Sequence, residues 1–219
     1  MGVRGRVTRL DPARLRVYFV TDPELCAARG VVETAVAAAR GGATLVQLRD
    51  PHATSAHLLA TARALVAALS PLDVPVIVND RPDIARLSGA AGVHVGQRDL
   101  TPTDVRTLLG ETAVVGLSIE QATQLDRVDW DAVDYIGAGP VFGVGVKHDA
   151  APPFGLEGLR AVTASSRAPV VAIGGVGAAQ VRDCLAAGVA GIAVVSAIAA
   201  APDPEAAARH LRSLLEARP

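Results

Sequence analysis

The sequence predicts an α/β chain closed into a single (β/α)8 TIM barrel, and three observations carry that expectation. Short Val/Ile-rich runs alternate with Ala/Leu-rich helical stretches, the pattern of parallel strands buried on both faces. Read along the chain, the alternation gives eight strand–helix units. The polar residues of the strand segments collect at their C-terminal ends, where barrels of this kind carry their chemistry. The structural alternative is a doubly wound open sheet. Its glycine-rich fingerprint follows the first strand, where this chain has Thr21-Asp22-Pro23 instead.

Residues 1–15 are basic and irregular and are expected to form an arm ahead of a catalytic barrel spanning residues 16–219. The first strand is read at Arg16–Thr21. A helical pattern from Val31 to Arg40 stops at Gly41-Gly42, a helix C-terminal signal. Thr44–Leu48 is the second strand, and a long amphipathic helix follows over Thr54–Ser70, closed by Pro71. The third strand is Pro75–Val78, with a helix at Asp83–Ser88. The fourth is Gly92–Val95, with Thr101 capping the next helix and Pro102 at its first position. Ala113–Leu117 and Ala132–Ile136 are the fifth and sixth strands, separated by a helix over Glu120–Arg127. The longest loop, Gly137 to Pro153, leads to a helix from Leu156 to Ala164. The seventh strand, Pro169–Ile173, ends at Gly174-Gly175 before a helix over Ala178–Ala186. The eighth, Gly191–Val195, opens into Ser196-Ala197-Ile198, and a terminal helix covers Asp203–Ala217.

Composition excludes several classes of function. Half the residues are hydrophobic but only 3% are aromatic, so the core is built from Val, Leu, Ile and Ala. A net charge of −1 gives no reason to expect nucleic acid or an anionic membrane as partner. No run reads as a membrane span and no signal peptide is evident, which predicts a soluble, cytoplasmic protein. Cys26 and Cys184 lie too far apart in sequence to suggest a zinc site or disulfide framework. The single lysine, Lys147, stands among 21 Lys and Arg residues in all. Such a position is either an accident or a site that needs a compact, mobile ammonium.

The strand ends, read alone, contribute Gln47 and Arg49, Asn79 and Asp80, Gln97 and Asp99, Ser118, Gly175 and Ser196, with Lys147 in the long loop. The fold would gather them around one mouth. Asp80 and Asp99 form the natural Mg²⁺ pair, because Mg²⁺ takes one or two carboxylates with substrate phosphate and water. The competing readings are a helix cap for Asp80 and a loop turn for Asp99. Arg49 and Lys147 suit phosphate, the first as a fork and the second as a point charge; Arg49 is otherwise a structural ion pair with Asp50 or Asp80. Gln47 is otherwise a core amide. Gly174-Gly175 and Val195-Ser196 each precede a helix start, where free N–H groups favour an anion. His94, inside a strand, reads as a hydrogen-bonded core residue rather than a base. His52, His57 and His210 read as surface positions, and His148 as a solvated loop residue. No Ser/His/Asp or Cys/His grouping stands out. A metal pair, two cations and a second anion site without a nucleophile suit displacement of a metal-held diphosphate by a second phosphorylated substrate.

Seven motifs in this order resemble one known family: Gln47-Leu48-Arg49, Asn79-Asp80-Arg81, His94-Val95-Gly96-Gln97-Arg98-Asp99, Gly116-Leu117-Ser118, Gly139-Pro140-Val141-Phe142 with Lys147, Ala172-Ile173-Gly174-Gly175, and Val195-Ser196-Ala197-Ile198. The family is thiamine phosphate synthase, and the resemblance runs from about Arg16 to the terminal helix. It implies a transferase that joins hydroxymethylpyrimidine diphosphate to a thiazole phosphate carboxylate, releasing diphosphate and CO₂. It further implies Mg²⁺ on Asp80 and Asp99, and Gln47, Arg49, Asn79, Ser118 and Lys147 around the pyrimidine diphosphate. Arg49, Lys147 and Ser118 would be the catalytic groups. Gly175, Val195 and Ser196 would hold the thiazole phosphate. The neighbouring Leu48, Asp50, Pro51, Val144, Gly145 and Val146 are counted with the substrate-binding segments. A homodimer is expected only at the level of the family.

The chain departs from the family pattern in two places. Pro51 stands where a lysine is usual, and Val144-Gly145-Val146-Lys147 replaces Thr-x-Thr-Lys. Each hydrogen bond lost to a charged group is worth roughly 1.5–3 kcal/mol. Two alternatives share the barrel: a thiazole tautomerase-like isomerase, which does not need the diphosphate metal site, and a non-catalytic paralogue that binds a phosphorylated ligand.

Overall fold

A computed structural model describes residues 10–143 and 152–217. Eight parallel strands close into a barrel in sequence order: β1 (Val17–Val20), β2 (Leu45–Leu48), β3 (Val76–Asn79), β4 (Gly92–Val95), β5 (Val114–Ile119), β6 (Tyr135–Ala138), β7 (Val170–Ala172) and β8 (Gly191–Val194). Closure is made by β1 against β8, with Tyr18 opposite Ala193. The outer ring contains α1 (Val31–Arg40), α2 (Ser55–Leu69), α3 (Pro82–Ser88), α4 (Pro102–Leu109), α5 (Gly155–Ser165), α6 (Val181–Ala186), α7 (Ser196–Ala199) and α8 (Pro204–Glu216).

The helices begin where the sequence supplies caps. Thr54 accepts from the His57 N–H, Thr101 from Asp104 N–H and Asp203 from Ala206 N–H. Pro102 and Pro204 then occupy first-turn positions whose missing N–H has no intrahelical partner to lose.

Two apolar layers arise from the period of two along each strand. Val46, Leu48, Val76, Val78, Val93 and Val95 point outward into the layer shared with the helices. Tyr18, Val20, Leu45, Ile77, Val114, Tyr135, Val171 and Ala193 fill the barrel interior. In the outer layer, α2 buries Leu58, Ala62, Leu65 and Leu69. Each fully buried leucine there contributes about 1.5–3 kcal/mol. With the 3-10 turn that follows it, this helix makes an 18-residue segment, Ser55–Leu72, apolar enough by length and composition to cross a membrane. The sequence reading has this helix as amphipathic and finds no run that could span a membrane; its apolar stripe packs on the barrel.

Several expectations are corrected. Residues 12–15, expected in the arm, form a 3-10 turn capped by Asp11, and Leu15 packs with Leu45, Ile77 and Tyr135 inside the barrel. Residues 1–9 of the arm lie outside the described residues. The helix read at Glu120–Arg127 is a 3-10 helix over Ala122–Arg127. The one read at Ala178–Ala186 begins as a 3-10 turn and becomes α-helical only at Val181. β6 starts three residues later than the apolar run suggested. Asp134 precedes it, buried, and its carboxylate accepts from Arg106 and from the Val115 N–H. Cys26 and Cys184 are buried free thiols, the latter pushed up to about 11 chiefly by burial.

Candidate functional site

A cavity of about 450 Å³ opens among the C-terminal ends of the strands. Gln47, Arg49, Asn79 and Ser118 line it, and so do Gly174, Gly175, Val195 and Ser196. Residues from β2, β3 and β5 and from the loops after β7 and β8 are thereby brought together, as the fold class requires.

Alternation along β2 decides which residues of Gln47-Leu48-Arg49 take part. Gln47 follows Leu45 onto the interior face and is 5% exposed. The Leu48 side chain points the other way, into the layer beneath the helices, so it does not reach the cavity. Beyond the strand, Thr21 holds the Arg49 backbone, accepting from its N–H at 3.0 Å. The Arg49 guanidinium makes no ion pair with a described residue, so the alternative reading of Arg49 as a structural ion pair with Asp50 or Asp80 does not hold among them. Asp50 instead accepts from the His52 N–H at 3.1 Å, and neither it nor exposed Pro51 lines the cavity. Val144, Gly145, Val146, Lys147 and His148 lie outside the described residues.

Asp80 and Asp99 follow β3 and β4 as exposed carboxylates. Asp80 adopts a left-handed backbone, φ 59°, which Asp tolerates better than most residues. Its N–H donates to the His94 carbonyl at 2.8 Å, and its Oδ2 accepts from the Asn79 amide at 2.6 Å. The Asp99 Oδ2 accepts from the Gly96 N–H at 2.8 Å. Among the described residues, no group of three or more His, Cys, Asp or Glu side chains could cage a metal. Neither the Asp80 nor the Asp99 carboxylate is among the residues lining the cavity, and each already accepts a hydrogen bond at its Oδ2. As hard-oxygen donors they are of the kind that Mg²⁺ takes, one or two at a time, together with substrate phosphate and water. Gln97 sits away from the cavity lining and donates to the Ser118 carbonyl at 2.6 Å.

The double glycine has a physical cause that the sequence does not show. Gly174 and Gly175 have φ of 91° and 69°, and a Cβ on Gly174 would lie 2.5 Å from Pro140 Cα. The loop after β6 therefore presses on this turn, and only glycine fits. The Gly177 N–H is taken by the Gln180 side chain at 3.1 Å.

Five polar residues on or under the cavity are not among the candidates: Tyr18, His94, Glu120, Tyr135 and Gln180. Tyr18, His94, Glu120 and Gln180 line it, while Tyr135 lies wholly buried beneath. A continuous hydrogen-bond chain crosses the interior. Gln47 Nε2 donates to the Tyr18 hydroxyl at 2.6 Å, and the Tyr18 and Tyr135 hydroxyls lie 2.8 Å apart. The Tyr135 hydroxyl is 3.0 Å from His94 Nδ1, and His94 Nε2 is 2.9 Å from Ser118 Oγ. His94 is thus hydrogen-bonded as expected, but at the cavity and not in a sealed core. Burial raises the Tyr18 phenol well above its ordinary range; burial, then the neighbouring Tyr18, does the same for Tyr135. The sequence did hold a signal: the chain has only two tyrosines, both in apolar strands, where a buried hydroxyl needs a partner.

Comparison with known proteins adds to this geometry. A family model described as thiamine monophosphate synthase matches residues 17–198. The thiamine-phosphate synthase of Xanthobacter autotrophicus is 50% identical over 202 residues, covering 92% of this chain and 96% of that protein. The one from Chloroflexus aurantiacus is 44% identical over 200 residues, covering 91% and 92%. Among solved structures, thiamine phosphate pyrophosphorylase from Pyrococcus furiosus superposes with a TM-score of 0.86 at 33% identity, covering 94% of this chain and 97% of that one. A 3-hexulose-6-phosphate synthase, at 22% identity and a TM-score of 0.67, shares the fold.

Proposed function

The chain belongs to the thiamine monophosphate synthase family and is a transferase of thiamine biosynthesis; from that premise we propose how its own residues carry out the reaction. The substrates are hydroxymethylpyrimidine diphosphate and a thiazole phosphate carboxylate, and the products are thiamine phosphate, diphosphate and CO₂. The observation that carries the reading is the convergence of Arg49, Asn79, Gln47 and Ser118 with the Gly174-Gly175 and Val195-Ser196 turns on one cavity.

Gln47 and Ser118 orient the pyrimidine from the cavity floor, and Asn79 stands at the diphosphate end beside Asp80. Arg49, lacking a protein counter-charge among the described residues, supplies a fork for the diphosphate oxygens. Lys147 is the second cation of the leaving group. Asp80 and Asp99 hold Mg²⁺, which when bound supplies charge neutralisation at the diphosphate. The backbone N–H groups of Gly175, Val195 and Ser196 take the thiazole phosphate. Cleavage of the carbon–oxygen bond releases diphosphate with its electron pair. The thiazole nitrogen then captures the pyrimidine cation with its lone pair, CO₂ departs, and the electron pair it leaves on the thiazole carbon takes a proton from water. No protein group needs to act as a nucleophile, in keeping with a site built to position and neutralise.

Two assays test this reading. Purified protein mixed with both substrates and Mg²⁺ is expected to form thiamine phosphate, and EDTA is expected to stop it. Absence of product from folded protein would overturn the reading in favour of the isomerase or the binding paralogue. The loop departures give a second test. Val144→Thr combined with Val146→Thr is expected to lower the KM for the thiazole substrate by about tenfold, the value of one recovered hydrogen bond to a charged group. An unchanged KM would remove these positions from the thiazole site.

A further inference from the structure

Tyr135 lies beneath the cavity and does not line it, so no ligand reaches its hydroxyl. We propose that Tyr135 is a positioning residue: with Tyr18 it holds His94 as the neutral, Nε2-protonated tautomer and so turns the Ser118 hydroxyl hydrogen into the cavity.

The argument follows hydrogens along the chain. An amide nitrogen only donates, so Gln47 Nε2 makes the Tyr18 oxygen an acceptor. The single Tyr18 hydroxyl hydrogen is then directed at the Tyr135 oxygen, 2.8 Å away. The Tyr135 hydrogen in turn is directed at His94 Nδ1, 3.0 Å away. A neutral imidazole that accepts at Nδ1 carries its hydrogen on Nε2, which faces Ser118 Oγ at 2.9 Å. With that oxygen accepting from the ring, the Ser118 hydrogen is left to point at whatever occupies the cavity. Both phenols stay protonated because burial raises them, so each link keeps its one hydrogen and the chain keeps one sense.

The packing is built around this pair. Gly116 lies between His94 and Tyr135 in the strand register. A Cβ there would sit 2.4 Å from both His94 Nδ1 and the Tyr135 hydroxyl. On the next strand, a Cβ at Gly137 would lie 2.9 Å from His94 Cε1. Two glycines thus clear the space in which ring and phenol meet. The His94 and Tyr135 rings are 5.4 Å apart and tilted by 31°, while the two tyrosine rings meet edge to face at 5.8 Å.

The arrangement gives the two ends of the chain different characters. Ser118 presents a donor to the cavity, and Gln47 spends an amide hydrogen on the floor. A ligand whose edge offers an acceptor to Ser118 is favoured over one that offers a donor, because a mismatched polar pair in a closed site loses far more than an exposed one.

The first test needs no substrate. Side-chain ¹⁵N spectra of the wild-type protein at neutral pH, with the His94 signals assigned by their loss in His94→Gln, are expected to show Nε2 protonated and Nδ1 bare. An Nδ1-protonated or doubly protonated ring would overturn the proposal. In Tyr135→Phe, which keeps the ring and removes the hydroxyl, the same signals are expected to become a mixture of tautomers. Retention of the single wild-type tautomer would overturn the role of Tyr135. The kinetic test rests on the proposed reaction. Tyr135→Phe is expected to lower kcat/KM about tenfold, and to add nothing further in a Ser118→Ala background. Additive losses would mean that Tyr135 acts by general stability and not through Ser118. Failure of the assay itself would leave the spectra to decide, so the two readings fail separately.

Discussion

Asp80→Asn is expected to lower kcat/KM by at least about a hundredfold, since a metal-held leaving group is stabilised by several kcal/mol and each tenfold is about 1.4 kcal/mol. The substitution is chosen to remove charge and little else. Asparagine tolerates the left-handed backbone that Asp80 adopts at φ 59°. Its side-chain oxygen still accepts from the Asn79 amide, and its N–H still donates to the His94 carbonyl. Asp99→Asn likewise keeps the bond from the Gly96 N–H. Thermal midpoints are therefore expected to stay near the wild-type value, and the Mg²⁺ concentration for half-maximal rate to rise in both variants. Initial rates across a Mg²⁺ titration check this. Wild-type kcat/KM with an unchanged Mg²⁺ dependence in both would sink the assignment of these two carboxylates. Asp80→Ala reads less cleanly, because alanine adds backbone strain to the loss of the carboxylate.

Asp134→Ala is expected to destabilise the fold by about 3–5 kcal/mol, the usual consequence of stripping one partner from a buried ion pair. The Arg106 and Asp134 side chains are 7% and 4% exposed. Arg106 also donates to the Ala113 and Ala132 carbonyls, and Asp134 accepts from the Val115 N–H at 2.8 Å. Removing the carboxylate leaves a guanidinium charge without its counter-ion and a strand N–H without its acceptor. A drop in Tm of roughly 10 °C follows for a chain of this size. Replacing both residues with Leu and Met is expected to recover part of the loss, because the uncompensated charge is gone. Denaturant unfolding of the single and double variants measures both terms. A single variant within about 1 kcal/mol of wild type would show that water reaches the arginine once the aspartate is removed.

The helices and strands were largely legible because their signals are local. The bounds of Val31–Arg40 and Gly92–Val95 agree with the observed elements, and Thr101-Pro102 starts α4 as its capping chemistry requires. The errors have physical causes too. β6 was read early because Ala132-Val133 extends its apolar run, while the nearby Asp134 serves Arg106 and not a strand end. The sequence does not separate Leu48 from Gln47 and Arg49, because both faces of a barrel strand are apolar and the period of two is masked.

What the sequence by itself determined is the set of elements, their order and the polar residues at their ends. An eightfold strand–helix alternation with buried Val/Ile strands leaves little besides a closed parallel barrel. Only the tertiary structure decided which side chains meet across the interior. Tyr18 and Tyr135 are 117 positions apart, and their contact depends on closure of β1 onto β8 and on the register of β4, β5 and β6. The same register seats Gly116 between His94 and Tyr135. Contacts of that kind arise from closing the sheet, which no run of neighbouring residues encodes; periodicity is written along the chain, whereas the hydrogen-bond chain under Ser118 exists only across it.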